Sequence, residues 1–161
     1  MNIRTDLAVE RGELRQLDAR DGFLETVTTG EIPVSRVKIV NERAAELTGK
    51  PMGNYATVFF DGAFSDDNLF DQAVERTAEI LREFLKGANS VLAVGLGNAD
   101  MTADALGPKV IDRLIVSRHL KDQLPDLYRE LALGELAALR PGVLGQTGIE
   151  TAELIRGAAE T

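Results

Sequence analysis

An α/β fold is what the sequence predicts, three-layered, with a mostly parallel sheet and helices on both faces. Ser90-Val-Leu-Ala-Val-Gly95 is a short, almost wholly apolar run of the kind found in a parallel strand covered on both sides. Short runs rich in β-branched residues alternate along the chain with helical stretches, which is the pattern of strand–helix–strand units joined by right-handed crossovers.

Residues 1–33 mix Arg, Asp, Glu, Thr and Gly with little apolar order. They read as an N-terminal arm with a short helix over Glu10 to Ala19 and a turn around Gly30 to Pro33. Residues 34–161 read as one domain. Val34, Val37, Ile39 and Val40 predict a strand, after which Asn41 suits the N-cap of a helix over Glu42 to Thr48, closed by Gly49 and Pro51. Asn54 to Phe60 predicts a second strand, ended by Asp61-Gly62.

Ser65 is expected to cap a long amphipathic helix that runs to about Lys86, with Leu69, Ala73, Ile80 and Phe84 among its apolar positions and Gly87 at its end. Beyond the apolar strand at 90–95, a loop from Gly95 to Ala103 leads into a helix expected from about Asp104 to Leu120. Pro125, Gly134, Pro141, Gly142 and Gly145 then predict loops with a short strand before a terminal helix over Ile149 to Ala159.

Composition excludes several classes of function. With no cysteine, neither a disulfide framework nor a thiolate metal site or nucleophile can form, and a cytoplasmic protein is the natural reading. One histidine, His119, leaves no multi-histidine metal site, and at the end of an apolar helix it reads as a residue favoured by the helix dipole. A net charge of −8 argues against direct binding of nucleic-acid backbones, which calls for a basic face. No run approaches the roughly 20 apolar residues that span a bilayer, so no membrane partner is expected.

Chemistry concentrates in Gly95-Leu-Gly-Asn-Ala-Asp-Met-Thr-Ala-Asp104-Ala-Leu-Gly-Pro108, where a buried parallel strand meets a helix. Open α/β sheets place their ligands at that strand-end crevice. A dinucleotide fingerprint is disfavoured because Asp100 replaces the third glycine and would repel a pyrophosphate. Asp104 has an ordinary explanation as an acidic residue satisfying free amides at a helix start. Its functional reading is a carboxylate that activates water or protonates a leaving amide, provided a second carboxylate lies nearby. Asp100, Asp112, Glu150 and Glu153 are the nearest candidates, and none stands out.

Three separated segments resemble the germination protease family, in the family's order. They are Arg4-Thr-Asp-Leu-Ala-Val-Glu10, then Val94-Gly-Leu-Gly-Asn98 with Asp104-Ala-Leu-Gly-Pro108, then Pro141-Gly-Val-Leu-Gly145 with Thr147-Gly-Ile-Glu-Thr151. Ser117-Arg-His-Leu120 also looks like the family's text, so the resemblance spans nearly the whole chain, most weakly at residues 11–33.

The resemblance implies an aspartic-type endopeptidase that starts the degradation of small acid-soluble spore proteins at germination. It implies Asp104 in the position of the first of two essential aspartates, with Gly95, Gly97 and Asn98 shaping the loop. The second aspartate belongs to a later Ile-Asp-Ala-Leu strand, so the chain is expected to be the N-terminal part of such an enzyme and inactive alone. Where the family usually has Asn, this chain has Asp100, an added negative charge beside the site.

Thr5-Asp6-Leu7-Ala8 looks like the family's own cleavage pattern, an acidic residue before an apolar residue and Ala. It implies a zymogen that cuts itself between Asp6 and Leu7. The resemblance further implies a homotetramer at full length and a place in the forespore or spore core, with no metal and no cofactor. Two other readings are carried: a hydrogenase-maturation-type endopeptidase, whose fold and glycine loop are similar, and a non-catalytic folded fragment that binds a partner.

Overall fold

A computed structural model describes residues 7, 8, 16–59 and 66–160. The chain divides into two compact units, residues 1–86 and 87–161. The α/β class holds in both.

The first unit is built on a three-stranded antiparallel sheet in the order β1-β2-β3, with β1 at Phe23–Thr28, β2 at Val34–Ile39 and β3 at Gly53–Val58. The strand expected from Val34 and the one expected from Asn54 are both present. β1 falls in the segment that reads as an arm, because its alternation is weak: only Phe23 is buried, and Leu24 to Val27 are exposed.

Parallel pairing is the expectation for these strands, and the structure corrects it. The helix between β2 and β3, α1 at Glu42–Thr48, has 7 residues. At that length it advances only about 10 Å, whereas a six-residue strand covers roughly 20 Å, so α1 cannot return the chain to the start of β2. β3 therefore enters beside the end of β2, with Ile39 opposite Gly53 and Val34 opposite Val58.

Alternation along β2 decides what each face touches. Val37 and Ile39 join Phe23, Ala8 and Ala44 in the core of this unit. On the other face Arg36 pairs with Glu83 of α2, Asp67–Phe84, at 3.5 Å. Tyr55 packs against the core and donates to the Pro51 carbonyl at 2.6 Å, and its burial raises the phenol above its ordinary value.

Local signals set the helix ends. Asn41 Oδ1 accepts from the Ala44 amide at 2.8 Å, and Gly49 closes α1 in the left-handed conformation. Replacing Asn41 by Ala is expected to cost about 1 kcal/mol, since one of the free first-turn amides loses its partner. A urea unfolding midpoint unchanged in Asn41→Ala would show that the cap contributes nothing. α2 is capped by Asp66, whose Oδ1 accepts from Asn68 and Leu69; Ser65, the expected cap, lies outside the described residues, as does most of the helix expected over Glu10 to Ala19.

The second unit holds a parallel pair, β4 at Ser90–Val94 and β5 at Glu135–Leu139, in register from Ser90 opposite Glu135 to Val94 opposite Leu139. A parallel pair needs a long crossover, here supplied by residues 95–134. The strand expected to be central and covered on both faces has one strand neighbour among the described residues, and Val91 to Val94 are half-buried.

The helix expected from Asp104 to Leu120 is also shorter, with α3 covering only Leu106–Ile111. The reason is local competition. Ile115 and Val116 are β-branched and weak helix formers. Ser117 and Arg118 then donate their amides to the Leu136 carbonyl at 2.9 and 3.1 Å, while Ser117 Oγ bonds the Gly134 carbonyl, so this backbone serves the edge of β5 and not a helix.

His119 accordingly sits in the turn before α4, Leu120–Gln123, and not at the end of a long helix. Lys121 on α4 donates to Glu135 at 2.5 Å, and that hydrogen bond, with the attraction of the charge, raises the ammonium above its ordinary value. α5 spans Pro125–Glu130, α6 Leu144–Thr147 and α7 Thr151–Ala159, the last matching the expected terminal helix. No helix among the described residues is long and apolar enough to cross a membrane.

Candidate active site

The carboxyl ends of β4 and β5 lie side by side, tied by the Gly95 amide donating to the Leu139 carbonyl at 3.0 Å. Each strand runs directly into a loop, 95–105 after β4 and 140–143 after β5. Between the loops is a recess of about 370 Å³, lined in part by Gly97, Asp100, Arg140, Gly142 and Gln146. This is the strand-end crevice that the sequence leads one to look for.

Close backbone approach explains the glycines. A Cβ on Gly95 would overlap the Gly107 carbonyl, and one on Gly97 would overlap the Asp104 carbonyl while coming within 3.0 Å of Asp104 Oδ1. Gly97 also has φ +127, a conformation that side chains other than hydrogen oppose. The loop is thereby pressed against the start of α3, and Ala105 and Pro108 are buried beneath it.

Asp104 closes a short 3-10 turn, Thr102–Asp104, and its side chain is exposed. Its Oδ2 accepts the Asn98 amide at 2.8 Å across the loop. The helix-start explanation fails on this geometry, since the carboxylate serves the glycine loop and α3 has no side-chain cap. Among the described residues Oδ1 has no hydrogen-bond partner, so one oxygen is positioned by a backbone amide and the other can bind water. Asn98 works from both ends, because its Oδ1 also accepts the Asp100 amide at 3.0 Å.

Two of the candidate second carboxylates, Asp100 and Asp112, are engaged elsewhere. Asp100 Oδ2 accepts from Gln146 Nε2 at 3.3 Å, and Asp112 pairs with Arg140 at 2.8 Å. Glu150 and Glu153 lie at the start of α7. None of these is hydrogen-bonded to Asp104, and no group of three or more His, Asp or Glu among the described residues could hold a metal ion. Of the self-cleavage pair, Asp6 lies outside the described residues, whereas Leu7 is half-buried against the first unit's core, where the neighbouring Ala8 is 4% exposed.

Sequence reasoning missed Arg140 and Gln146. Their signal is topological: Arg140 stands just past the end of β5 and Gln146 on the short helix that follows, so both face the crevice beside the loop after β4, which becomes visible once β4 and β5 are known to pair.

The germination protease family model matches residues 4–161. The chain is 40% identical over 168 aligned positions to the germination protease of Clostridium perfringens (strain ATCC 13124), covering 99% of this chain and 51% of that protein. It is 41% identical over 165 positions to the germination protease of Caldanaerobacter subterraneus subsp. tengcongensis, at 99% and 50% coverage. With that of Bacillus velezensis the identity is 40% over 168 positions, at 96% and 45%. The chain spans about half the length of the curated relatives it matches.

Proposed function

The chain belongs to the germination protease family, and on that premise we propose that it supplies Asp104 to an aspartic-type endopeptidase that degrades small acid-soluble spore proteins during germination. The observation that carries the reading is the strand-end loop, in which a backbone amide orients one oxygen of Asp104 and leaves the other open to water.

In this reading Asp104 takes a proton from a water molecule as it attacks the peptide carbonyl. A second carboxylate, held in the opposite protonation state, polarises that carbonyl and returns a proton to the leaving amine. The second group comes from the part of the enzyme matched to the other half of the relatives, so this chain alone is inactive. The β4–β5 pair belongs to a larger, mostly parallel, three-layered sheet in the whole enzyme. That enzyme works as a homotetramer in the forespore or spore core.

Residues 1–6 form a propeptide ahead of the rest of the N-terminal arm. Cleavage between Asp6 and Leu7 would leave a new terminus anchored at once by Leu7 and Ala8 in the first unit's core. N-terminal sequencing of mature enzyme is expected to begin at Leu7, and retention of Met1 would refute self-processing. The function itself is tested by offering a purified small acid-soluble spore protein to the enzyme at its relatives' length and to the 161-residue chain, with products read by mass spectrometry. Peptides ending in Asp or Glu are expected from the longer protein alone, and an intact substrate in both reactions refutes the peptidase reading.

A further inference from the structure

We infer that Arg140 is a specificity-determining residue of the strand-end recess and that it selects peptide segments carrying a carboxylate side chain; the inference rests on the peptidase reading above. Of the residues lining the recess, Arg140 is the one cation and Asp100 the one anion. β5 fixes the backbone of Arg140 on one side, and on the other the buried Pro141 and the left-handed Gly142 turn the chain away.

The guanidinium is held but not used up. Its Nη1 donates to Asp112 Oδ2 at 2.8 Å, the only hydrogen bond of Arg140 among the described residues, while a guanidinium carries five N–H donors in a planar fork. The side chains of Arg140 and Asp112 are 46% and 53% exposed, and so open a pair is weak and exchanges readily. An incoming carboxylate can engage the fork with both oxygens, which a single bond to Asp112 does not do.

Asp100 opposes an acidic ligand, but Gln146 Nε2 already donates to its Oδ2 at 3.3 Å, which diverts part of its charge. The recess of about 370 Å³ is of a size to admit a side chain with its backbone and not merely a small ion. Such a selector lies beside the loop that holds Asp104, where an acidic side chain next to the cleaved bond would be read.

The test uses two peptides identical except for Glu or Gln at one position. They are titrated into the isotope-labelled 161-residue chain, with the Gly142 and Gln146 amides followed by NMR, and also offered as substrates to the enzyme at its relatives' length. The Glu peptide is expected to bind about tenfold more tightly, the value of one charged hydrogen-bonded contact. Arg140→Gln should abolish the difference, Arg140→Lys should restore part of it, and Asp112→Asn should widen it.

Equal binding of the two peptides to the unaltered chain, no binding of either, or a preference that survives in Arg140→Gln each overturns the proposal. Hydrolysis that depends on Asp104 but has the same Glu-to-Gln ratio in Arg140→Gln overturns the role of Arg140 and leaves the peptidase reading intact. Discrimination in binding without any hydrolysis does the reverse.

Discussion

Asp104→Asn, made in the enzyme at its relatives' length, is expected to lower kcat by about 10²–10⁴-fold, the range that a positioned acid–base group contributes. The substitution is chosen to separate chemistry from structure. An amide oxygen can still accept the Asn98 N–H that now reaches Oδ2 at 2.8 Å, so the loop keeps its tie. Because the side chain is exposed, no buried charge is created or lost. Unfolding midpoints should therefore agree between the two proteins, and KM should change far less than kcat. A variant that still cuts spore protein at the original rate would remove Asp104 from the chemistry and leave it a loop-bracing residue. Loss of folding together with activity would point the same way.

How much of the fold can be read in the chain depends on how local the deciding forces are. Asn41, Gly49 and the apolar run at 90–94 act within a few residues of themselves, and the elements they predict are present. Pairing direction is different. Whether β2 and β3 run parallel follows from a comparison of helix length with strand length, and the seven residues of α1 decide against it. The missing length of α3 is a tertiary effect, since Ser117 and Arg118 are drawn to the Leu136 carbonyl, whose position no local pattern reports. β1 is invisible in the sequence because one buried Phe23 followed by exposed positions carries no alternation to detect.

The site divides along the same line. Gly97, Asn98 and Asp104 stand in one short stretch and make their contacts with one another within it, so the sequence carries their geometry almost intact, whereas Gly95 also bonds the Leu139 carbonyl across the strand pair. Arg140 and Gln146 reach the recess from the far side of a crossover of about 40 residues, through the pairing of β4 with β5. The second carboxylate that the proposed mechanism asks of Asp104 is the same kind of problem on a larger scale. Acidic residues near it in sequence, Asp100 and Asp112, are diverted to Gln146 and Arg140, and nearness along the chain is no guide to which groups meet.

Gly97→Ala is expected to have the second large effect, and a paired variant shows why. Two costs act at this position: φ +127 is hostile to a side chain, and the added Cβ would overlap the Asp104 carbonyl. Gly148 has φ +69 with nothing within 4 Å of an added methyl, so Gly148→Ala reports backbone strain without overlap in the same unit. Strain of that kind costs on the order of 1–3 kcal/mol, and forced contact in a packed setting adds roughly another 1–3 kcal/mol. Gly97→Ala should thus lose clearly more stability than Gly148→Ala. Relief by pushing residue 104 away from the loop breaks the Asn98–Asp104 hydrogen bond and with it the placement of the carboxylate. Cleavage by the longer enzyme should fall in Gly97→Ala even at temperatures where the variant remains folded, because a displacement of about 1 Å is enough to cost a hundredfold in rate. If the two alanine variants unfold at the same midpoint and Gly97→Ala cuts normally, then the loop yields without moving Asp104, and the close approach of Gly97 is not what positions the site.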